Sequence, residues 1–337
     1  MTHTFLALTS LQVGTAFAVR TVHRPCVTPV PKRRCHNFVD ARLWLSRGER
    51  VLLNEGAECR ERLWQKDRER QARYMMNFVS KLNLPSAGTL GRRRPLGVVG
   101  GMGSLATAKF LESLARKRQA EKDQDHIPFV ALSLPDISDR SQAISEGSDA
   151  PLRQIVARAH WLEQAGCGAI AIPCNTAHFW VGEIKRALSI DLIDVTEITA
   201  KKICDMKNDE IREFRSILLG TKATMQHSLY PQTNETSFGE GFVRCRKRLQ
   251  REAIQIIADV KCGNTAKARA ELEQLIHQIR SFAPDVIILG CSELSAISGD
   301  LADDDDVIDP ISILAEACID WWRKENEPVT QDRAGGE

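Results

Sequence analysis

The sequence predicts an α/β fold built on parallel sheets. From residue 95 onward, short and continuous apolar runs such as Val286–Leu289 alternate with longer stretches of helical periodicity. Strands of a parallel sheet are buried on both faces, so they consist of uninterrupted apolar residues. Each run is followed by a segment long enough for the crossover helix that parallel strands require. This alternation of strands and helices is typical of a sheet covered by helices on both faces.

The predicted elements begin with a strand over Leu96–Val99, which runs into a glycine turn. A helix follows over Ala106–Arg118, with Phe110 and Leu114 on one face. The same scheme continues through Phe129–Leu134, Leu152–Gln164, Ala169–Ile172, Ile217–Leu219, Ala253–Val260, Ala266–Phe282, Val286–Leu289 and Ile311–Trp322.

Composition excludes several classes of protein. The 337 residues are 43% hydrophobic and 27% charged, as in ordinary globular proteins, which excludes wholesale disorder. No apolar run reaches the roughly 18 uncharged residues of a membrane-spanning helix, so we expect no membrane span. The ten cysteines form no C-x-x-C pair, which argues against a zinc site and against a disulfide scaffold.

The N-terminal region differs in charge from the rest of the chain. Residues 1–94 carry 18 Lys and Arg against 7 Asp and Glu, whereas the remainder is acidic. We expect a basic extension over 1–94 that is partly disordered, with one amphipathic helix at 58–82. We expect a cytoplasmic protein, with organellar targeting by the N-terminal extension as the alternative, because the start of the chain lacks Asp and Glu. The role of residues 1–94 stays open between a targeting segment, a partner-binding region and a misplaced start. The basic charge alone is not specific for nucleic acid, and none is expected as a partner.

A glycine cluster follows the first predicted strand. Gly101 and Gly103 allow the backbone around Met102 to approach an anionic ligand closely. The spacing is not that of the dinucleotide fingerprint, because Ala106 stands where its third glycine belongs. Nicotinamide chemistry is therefore not expected.

Two cysteines occupy matching positions at the ends of buried strands. Cys174 and Cys291 both follow apolar runs and precede polar residues. Ligands of open α/β sheets bind beyond the carboxyl ends of the strands, and the start of a helix is expected to lower a thiol pKa. Two opposed thiols can racemise a carbon beside a carboxylate, one removing the α-proton while the other delivers a proton. The donors expected to stabilise the enediolate are Asn175, Thr176, Ser292 and the backbone of the Gly101–Gly103 turn.

Three stretches together resemble the cofactor-independent aspartate/glutamate racemase superfamily, and most closely its aspartate racemase branch. They are Gly97–Gly103, Ile172–His178 and Leu289–Glu293, in that order. The resemblance implies two pseudo-symmetric, Rossmann-like parallel-sheet domains with the active site in the cleft between them. We expect the first domain to comprise 95–196 plus 308–325, and the second 197–307. The resemblance further implies a homodimer, a small acidic amino acid as substrate and no cofactor.

The resemblance also implies roles for individual residues. Cys174 and Cys291 correspond to the two catalytic bases. Arg140 and Lys261 correspond to residues that bind substrate carboxylates, a role suited to their charges. The remaining substrate-binding candidates are Gly101, Met102, Gly103, Asn175, Thr176, Thr221 with the nearby Thr224, and Ser292. Glu293 and His178 are expected to support the site by tuning a thiol or orienting its loop.

Other functions remain open at this point. Within the superfamily they are glutamate or hydantoin racemisation, maleate isomerisation and arylmalonate decarboxylation, the last being disfavoured because both thiols are present. A racemase-like protein that binds a ligand or partner without catalysis is the alternative from a different class.

Overall fold

The computed structural model describes residues 94–206, 214–227, 229–230 and 240–326. The basic extension up to residue 93, including the helix predicted at 58–82, lies outside the described residues.

Two parallel sheets form the framework of the described chain. The strands are β1 Leu96–Gly100, β2 Phe129–Ser133, β3 Ala169–Ala171, β4 Asp191–Ile193, β5 Ser216–Gly220, β6 Val286–Gly290 and β7 Val307–Ile308. The first sheet has the strand order β2-β1-β3-β4 and the second the order β5-β6-β7. All pairings are parallel: Leu96 of β1 pairs with Ala169 of β3, and Ile217 of β5 with Ile287 of β6.

Helices connect the strands. They are α1 Ser104–Arg118, α2 Arg140–Glu146, α3 Ala150–Gln164, α4 Val181–Ala187, α5 Val195–Met206, α6 Lys222–Gln226, α7 Glu240–Lys261, α8 Thr265–Arg280, α9 Ser292–Ile297 and α10 Pro310–Asn326. A 3₁₀ segment, Asn175–Trp180, follows β3. In the described part of the chain, no helix combines the length and the apolar character needed to cross a membrane.

The first sheet is covered on both faces. Val99 of β1 belongs to a buried cluster with Ile155 of α3. Its neighbour Val98 belongs to another cluster, with Phe110 of α1 and Leu314 of α10. Because side chains of a strand alternate between faces, these two clusters are the two sides of one layered core. Helix α10 therefore packs on the first sheet.

The second sheet is sandwiched in the same way. Ile287 of β6 packs in a cluster with residues of α7 and α8, such as Ile256 and Leu272. Ile288 belongs to the opposite cluster, which contains Ile203 of α5. Helices thus cover both faces, as the continuous apolar strands require.

The predicted α/β class with parallel sheets is confirmed, and the differences concern edge strands, helix boundaries and helices that were not predicted, such as α5. The edge strands β4 and β7 were not predicted, because each has only two apolar residues, which are too few to form a recognisable apolar run. Helix α7 begins at Glu240, well before the predicted Ala253–Val260, since its first turns are largely polar. The division of the body into domains at 196 and 307 stays a prediction.

Candidate active site

Two strands from different sheets lead into cysteines with similar backbone conformations. Cys174 follows β3 and has φ −149° and ψ 108°. Cys291 directly follows β6 and has φ −141° and ψ 129°. Each is the last extended residue before a short helical segment, and each side chain is buried. The two thiols therefore occupy equivalent positions at the carboxyl ends of the two sheets.

Both thiols border one cavity, whose lining comes from both sheets. The lining residues are Met102, Asp139, Arg140, Ser141, Cys174, Asn175, Thr176, Thr221, Lys261, Cys291, Ser292 and Glu293. Most of the residues predicted from the sequence thus meet here. Gly101, Gly103 and His178 do not line the cavity, whereas Asp139 and Ser141 line it without having been predicted.

In the glycine turn Gly101–Gly103, only Met102 lines the cavity. Gly101 has φ +81°, and a Cβ there would lie 2.3 Å from the carbonyl oxygen of Leu134, so only glycine fits. We expected its amide to face the substrate, but Gly101 N–H donates to Thr107 Oγ1 at 3.2 Å. A Cβ on Gly103 would lie 3.1 Å from Glu293 Oε1. The two glycines therefore shape the backbone, and Met102 is the residue of this turn that reaches the cavity.

Cys174 lies beside a cation. Burial raises the pKa of its thiol, and the guanidinium of Arg140, hydrogen-bonded to the thiol, acts in the opposite direction. The backbone N–H of Ala177 also favours the thiolate, which is the helix-start effect expected from the sequence. The expected net lowering of the thiol pKa is nevertheless wrong, because loss of solvent is the larger effect.

Arg140 is held by the turn that precedes it. Its Nη1 donates to the carbonyl oxygens of Ile137 at 3.2 Å and Ser138 at 3.1 Å. Its Nε is buried and has no hydrogen-bond partner among the described residues. The guanidinium is thus fixed at the cavity, and its Nε–H is left for another acceptor.

Two side chains of α3 anchor the Arg140 turn. Gln154 accepts from Ser138 N at 2.8 Å and donates to Asp136 O at 3.2 Å. Arg158, only 2% exposed, forms an ion pair with the carboxylate of Asp136. Neither residue was predicted from the sequence. Their i, i+4 spacing, which puts them on one helix face, is the signal that could have found them.

Cys291 lies beside an anion. Its Sγ–H donates to Glu293 Oε2 at 3.0 Å, and the hydroxyl of Ser292 approaches the same oxygen at 3.4 Å. Burial raises the pKa of the Cys291 thiol well above its ordinary value, and the Glu293 carboxylate raises it further. Here too the expected lowering of the thiol pKa is wrong, because burial and the Glu293 carboxylate both raise it.

Three buried threonine hydroxyls join the two sheets beside the thiols. Thr176 Oγ1 lies 3.1 Å from Thr221 Oγ1, which lies 3.0 Å from Thr224 Oγ1. Thr221 also caps α6 by accepting from Thr224 N at 3.1 Å. The segment after β3 is therefore hydrogen-bonded to the turn after β5, which brings Thr176 and Thr221 to the same cavity wall.

A tyrosine that was not predicted from the sequence is hydrogen-bonded to Asn175. The hydroxyl of Tyr230 donates to Asn175 Oδ1. Asn175 Nδ2 is buried and finds no hydrogen-bond partner in the described part of the chain. Tyr230 lies in an irregular segment, so no periodicity pointed to it.

Lys261 and Asp139 meet across the mouth of the cavity. Lys261 Nζ lies 3.6 Å from Asp139 Oδ2, and the two side chains are 39% and 44% exposed. Partial burial raises the pKa of Asp139, but the Gln142 N–H and the charges of Lys261 and Arg140 outweigh it and lower the pKa overall. Lys261 thus already has a carboxylate partner.

His178 supports the Cys174 loop and does not border the cavity. Its Nδ1 lies 3.0 Å from Cys174 O, and Val195 N–H donates to its Nε2 at 3.4 Å. Nε2 is therefore the acceptor, and Nδ1 carries the proton that is donated to the carbonyl. Burial lowers the pKa of His178, with Asp194 acting in the opposite direction. The neutral ring links the loop to the start of α5.

The described residues do not form a metal site. Among the described residues, no group of three or more His, Cys, Asp and Glu side chains is arranged to hold a metal ion. That no cofactor takes part stays a prediction.

Comparisons with known proteins agree with the fold and the motifs. A family model described as Asp/Glu/Hydantoin racemase matches residues 99–318. The broad specificity amino-acid racemase RacX of Bacillus subtilis (strain 168) is 28% identical over 229 residues, 66% of this chain and 96% of that protein.

Two solved structures extend the comparison. Picrophilus torridus aspartate racemase is 29% identical with a TM-score of 0.58, over 68% of this chain and 94% of that one. An aspartate racemase homologue from Pyrococcus horikoshii OT3 shares the fold at 22% identity and a TM-score of 0.51, over 68% and 99% of the two chains. The superfamily resemblance seen in the sequence is confirmed, and the chain belongs to the Asp/Glu/hydantoin racemase family.

Proposed function

We propose that the chain is a pyridoxal-phosphate-independent racemase that interconverts L- and D-aspartate, or a closely related acidic amino acid, by two-thiol proton transfer at Cα. The observation that carries the proposal is that Cys174 and Cys291, which follow strands of different sheets, border one cavity. The similarity to the Picrophilus torridus aspartate racemase supports the choice of substrate.

The proton transfer uses the thiols as acid and base in turn. A thiolate on one cysteine takes the α-proton from one face of the substrate and becomes a thiol. The thiol on the other cysteine gives its proton to the opposite face and becomes a thiolate. Configuration is inverted, no proton is gained or lost overall, and the two cysteines exchange protonation states. The reverse reaction starts from that exchanged state.

The developing enediolate needs donors that are already oriented. Asn175 Nδ2 and Arg140 Nε suit this role, because both are buried polar groups without partners among the described residues. An anionic acceptor bound in the cavity would satisfy them, and an unsatisfied buried donor is costly. The hydroxyls of Thr176 and Thr221 supply further donors on the same wall.

The two cations at the cavity suit a substrate with two carboxylates. In the proposal, Arg140 binds one carboxylate and Lys261 the other, with the substrate replacing Asp139 as the partner of Lys261. The bound α-ammonium, together with Arg140 in the case of Cys174, counters the burial that raises the thiol pKa values, so that a thiolate forms in the complex.

A racemase acting on neutral amino acids is the second candidate. Two carboxylates, Asp139 and Glu293, line the cavity beside the two cations, so the lining is balanced in formal charge. That balance suits a substrate without net charge, and RacX, 28% identical, is named a broad specificity enzyme.

The test is incubation of the full chain with a panel of L-amino acids in deuterated water, followed by chiral chromatography and mass spectrometry. We expect D-aspartate carrying deuterium at Cα, unaffected by EDTA or by removal of pyridoxal phosphate. Faster conversion of alanine than aspartate would favour the second candidate. Absence of exchange with every amino acid would favour a non-catalytic binding protein. Sedimentation equilibrium tests the expected homodimer.

A further inference from the structure

We infer that Tyr230 is a positioning residue for racemisation, which fixes the side-chain amide of Asn175 so that Nδ2 donates into the cavity. The inference deepens the proposed function and rests on it. Tyr230 acts through Asn175, and it does not line the cavity.

The geometry joins two parts of the fold. Asn175 follows β3 of the first sheet, whereas Tyr230 belongs to a buried cluster with Leu218 and Ile288 of the second sheet. The tyrosine is 0% exposed and Asn175 is 1% exposed. The hydroxyl donates to Asn175 Oδ1 across this boundary. The adjacent contact between Thr176 and Thr221 crosses the same boundary, which limits the freedom of both segments.

The chemistry depends on which end of the amide faces the substrate. Rotation of an asparagine amide by half a turn exchanges a donor for an acceptor of nearly equal size. With Oδ1 accepting the phenolic proton, Nδ2 is the end left for the cavity. A carbonyl oxygen there would repel the negative charge that develops on the substrate, whereas the N–H group stabilises it.

The phenol keeps its proton throughout the usual assay range. Burial raises the pKa of Tyr230 well above its ordinary value, and nearby Asp194 and Asp309 act in the same direction. The hydroxyl therefore remains available as a donor wherever the enzyme is assayed.

A double-mutant cycle tests the inference with the full chain. We expect Tyr230→Phe to lower kcat for aspartate about 10-fold or more, with a smaller change in KM, as expected when a transition-state interaction is lost. In an Asn175→Ala background, Tyr230→Phe should cause less than about a twofold further loss, because coupled residues are not additive. Thr199→Val is the control, since it removes a hydroxyl that is also 0% exposed but does not border the cavity. Full additivity of the two losses would overturn the inference.

A second measurement does not need turnover. The ¹⁵N-labelled side-chain amide of Asn175, assigned by its loss in Asn175→Ala, should shift in Tyr230→Phe and stay in place in Thr199→Val. An unchanged amide signal in Tyr230→Phe would overturn the inference even in an active enzyme. A wild-type chain that racemises nothing would instead reject the proposed function, and the amide signal would still decide whether Tyr230 orients Asn175.

Discussion

Cys291 Sγ–H donates to the Glu293 carboxylate at 3.0 Å, whereas the corresponding Cys174 has the guanidinium of Arg140 beside it. The two thiols have similar backbone conformations but neighbours of opposite charge. A cation stabilises a thiolate and a carboxylate stabilises the thiol. In the substrate-free protein, Cys174 should therefore ionise more readily than Cys291.

Removal of the cation should suppress the reactivity of Cys174. We expect Arg140→Met to slow alkylation of Cys174 by iodoacetamide at pH 8 about 10-fold or more, because an adjacent opposite charge shifts a pKa by about one unit or more. Mass spectrometry of the labelled peptide measures the rate. Arg116→Met is the control, since Arg116 is 77% exposed on α1. An unchanged rate in Arg140→Met would contradict the assignment.

Removal of the carboxylate should have the opposite effect on the other thiol. Burial raises the pKa of Cys291 and the Glu293 carboxylate raises it further, so Glu293→Gln removes the second of these causes. We therefore expect alkylation of Cys291 to become about threefold faster or more at the same pH. Glu273→Gln is the matched control, because Glu273 pairs with Arg269 on the exposed side of α8. Slower alkylation of Cys291 in Glu293→Gln would count against this account.

Lys261 should distinguish dicarboxylates from other substrates. We expect Lys261→Met to raise KM for aspartate about 10-fold or more, as the loss of a charge-assisted hydrogen bond implies, and to change KM for alanine much less. Steady-state kinetics with both substrates measures the difference. Lys267→Met, which removes a cation that does not line the cavity and pairs with Asp259, is the control. An equal rise for aspartate and alanine would show that Lys261 does not select the second carboxylate.

His178 should link stability to pH. Its folded pKa is lowered from 6.5, so the unfolded chain binds a proton first as the pH falls. The free energy of unfolding should therefore decrease below that pH. His178→Gln removes this titration, and the stability gap between wild type and variant should narrow between about pH 7 and 5. Urea denaturation measures the gap, with the exposed His277→Gln as control. A gap independent of pH would contradict a buried neutral His178.

The fold and the two thiols were predictable because their signals are local. A fully buried strand such as β6 is a continuous apolar run, and the residue that follows it, Cys291, must lie at the edge of the sheet where ligands bind. Lys261 and Arg140 were found only through motif resemblance, since nothing in their immediate surroundings distinguishes them from surface cations.

The remainder of the site depends on tertiary structure. Tyr230 and Asn175 are separated by 55 positions, and no periodicity connects them. The direction of the thiol pKa shifts depends on burial, which a helix-start argument from the sequence leaves out. Asp139, the partner of Lys261, is far from it in the sequence, so their ion pair could not be predicted from local patterns either.

The most direct test of the two-thiol account is the rate of conversion of L-aspartate to D-aspartate in Cys174→Ala and in Cys291→Ala, measured by chiral chromatography. Cys204→Ser and Cys262→Ser, both exposed, serve as controls. We predict that each alanine variant loses a factor of about 10³ or more, because general acid–base catalysis contributes about 10²–10⁴ per group and either loss breaks the relay. An alanine variant that keeps more than about a tenth of the wild-type rate would contradict the account, since that cysteine could not be one of two obligatory groups.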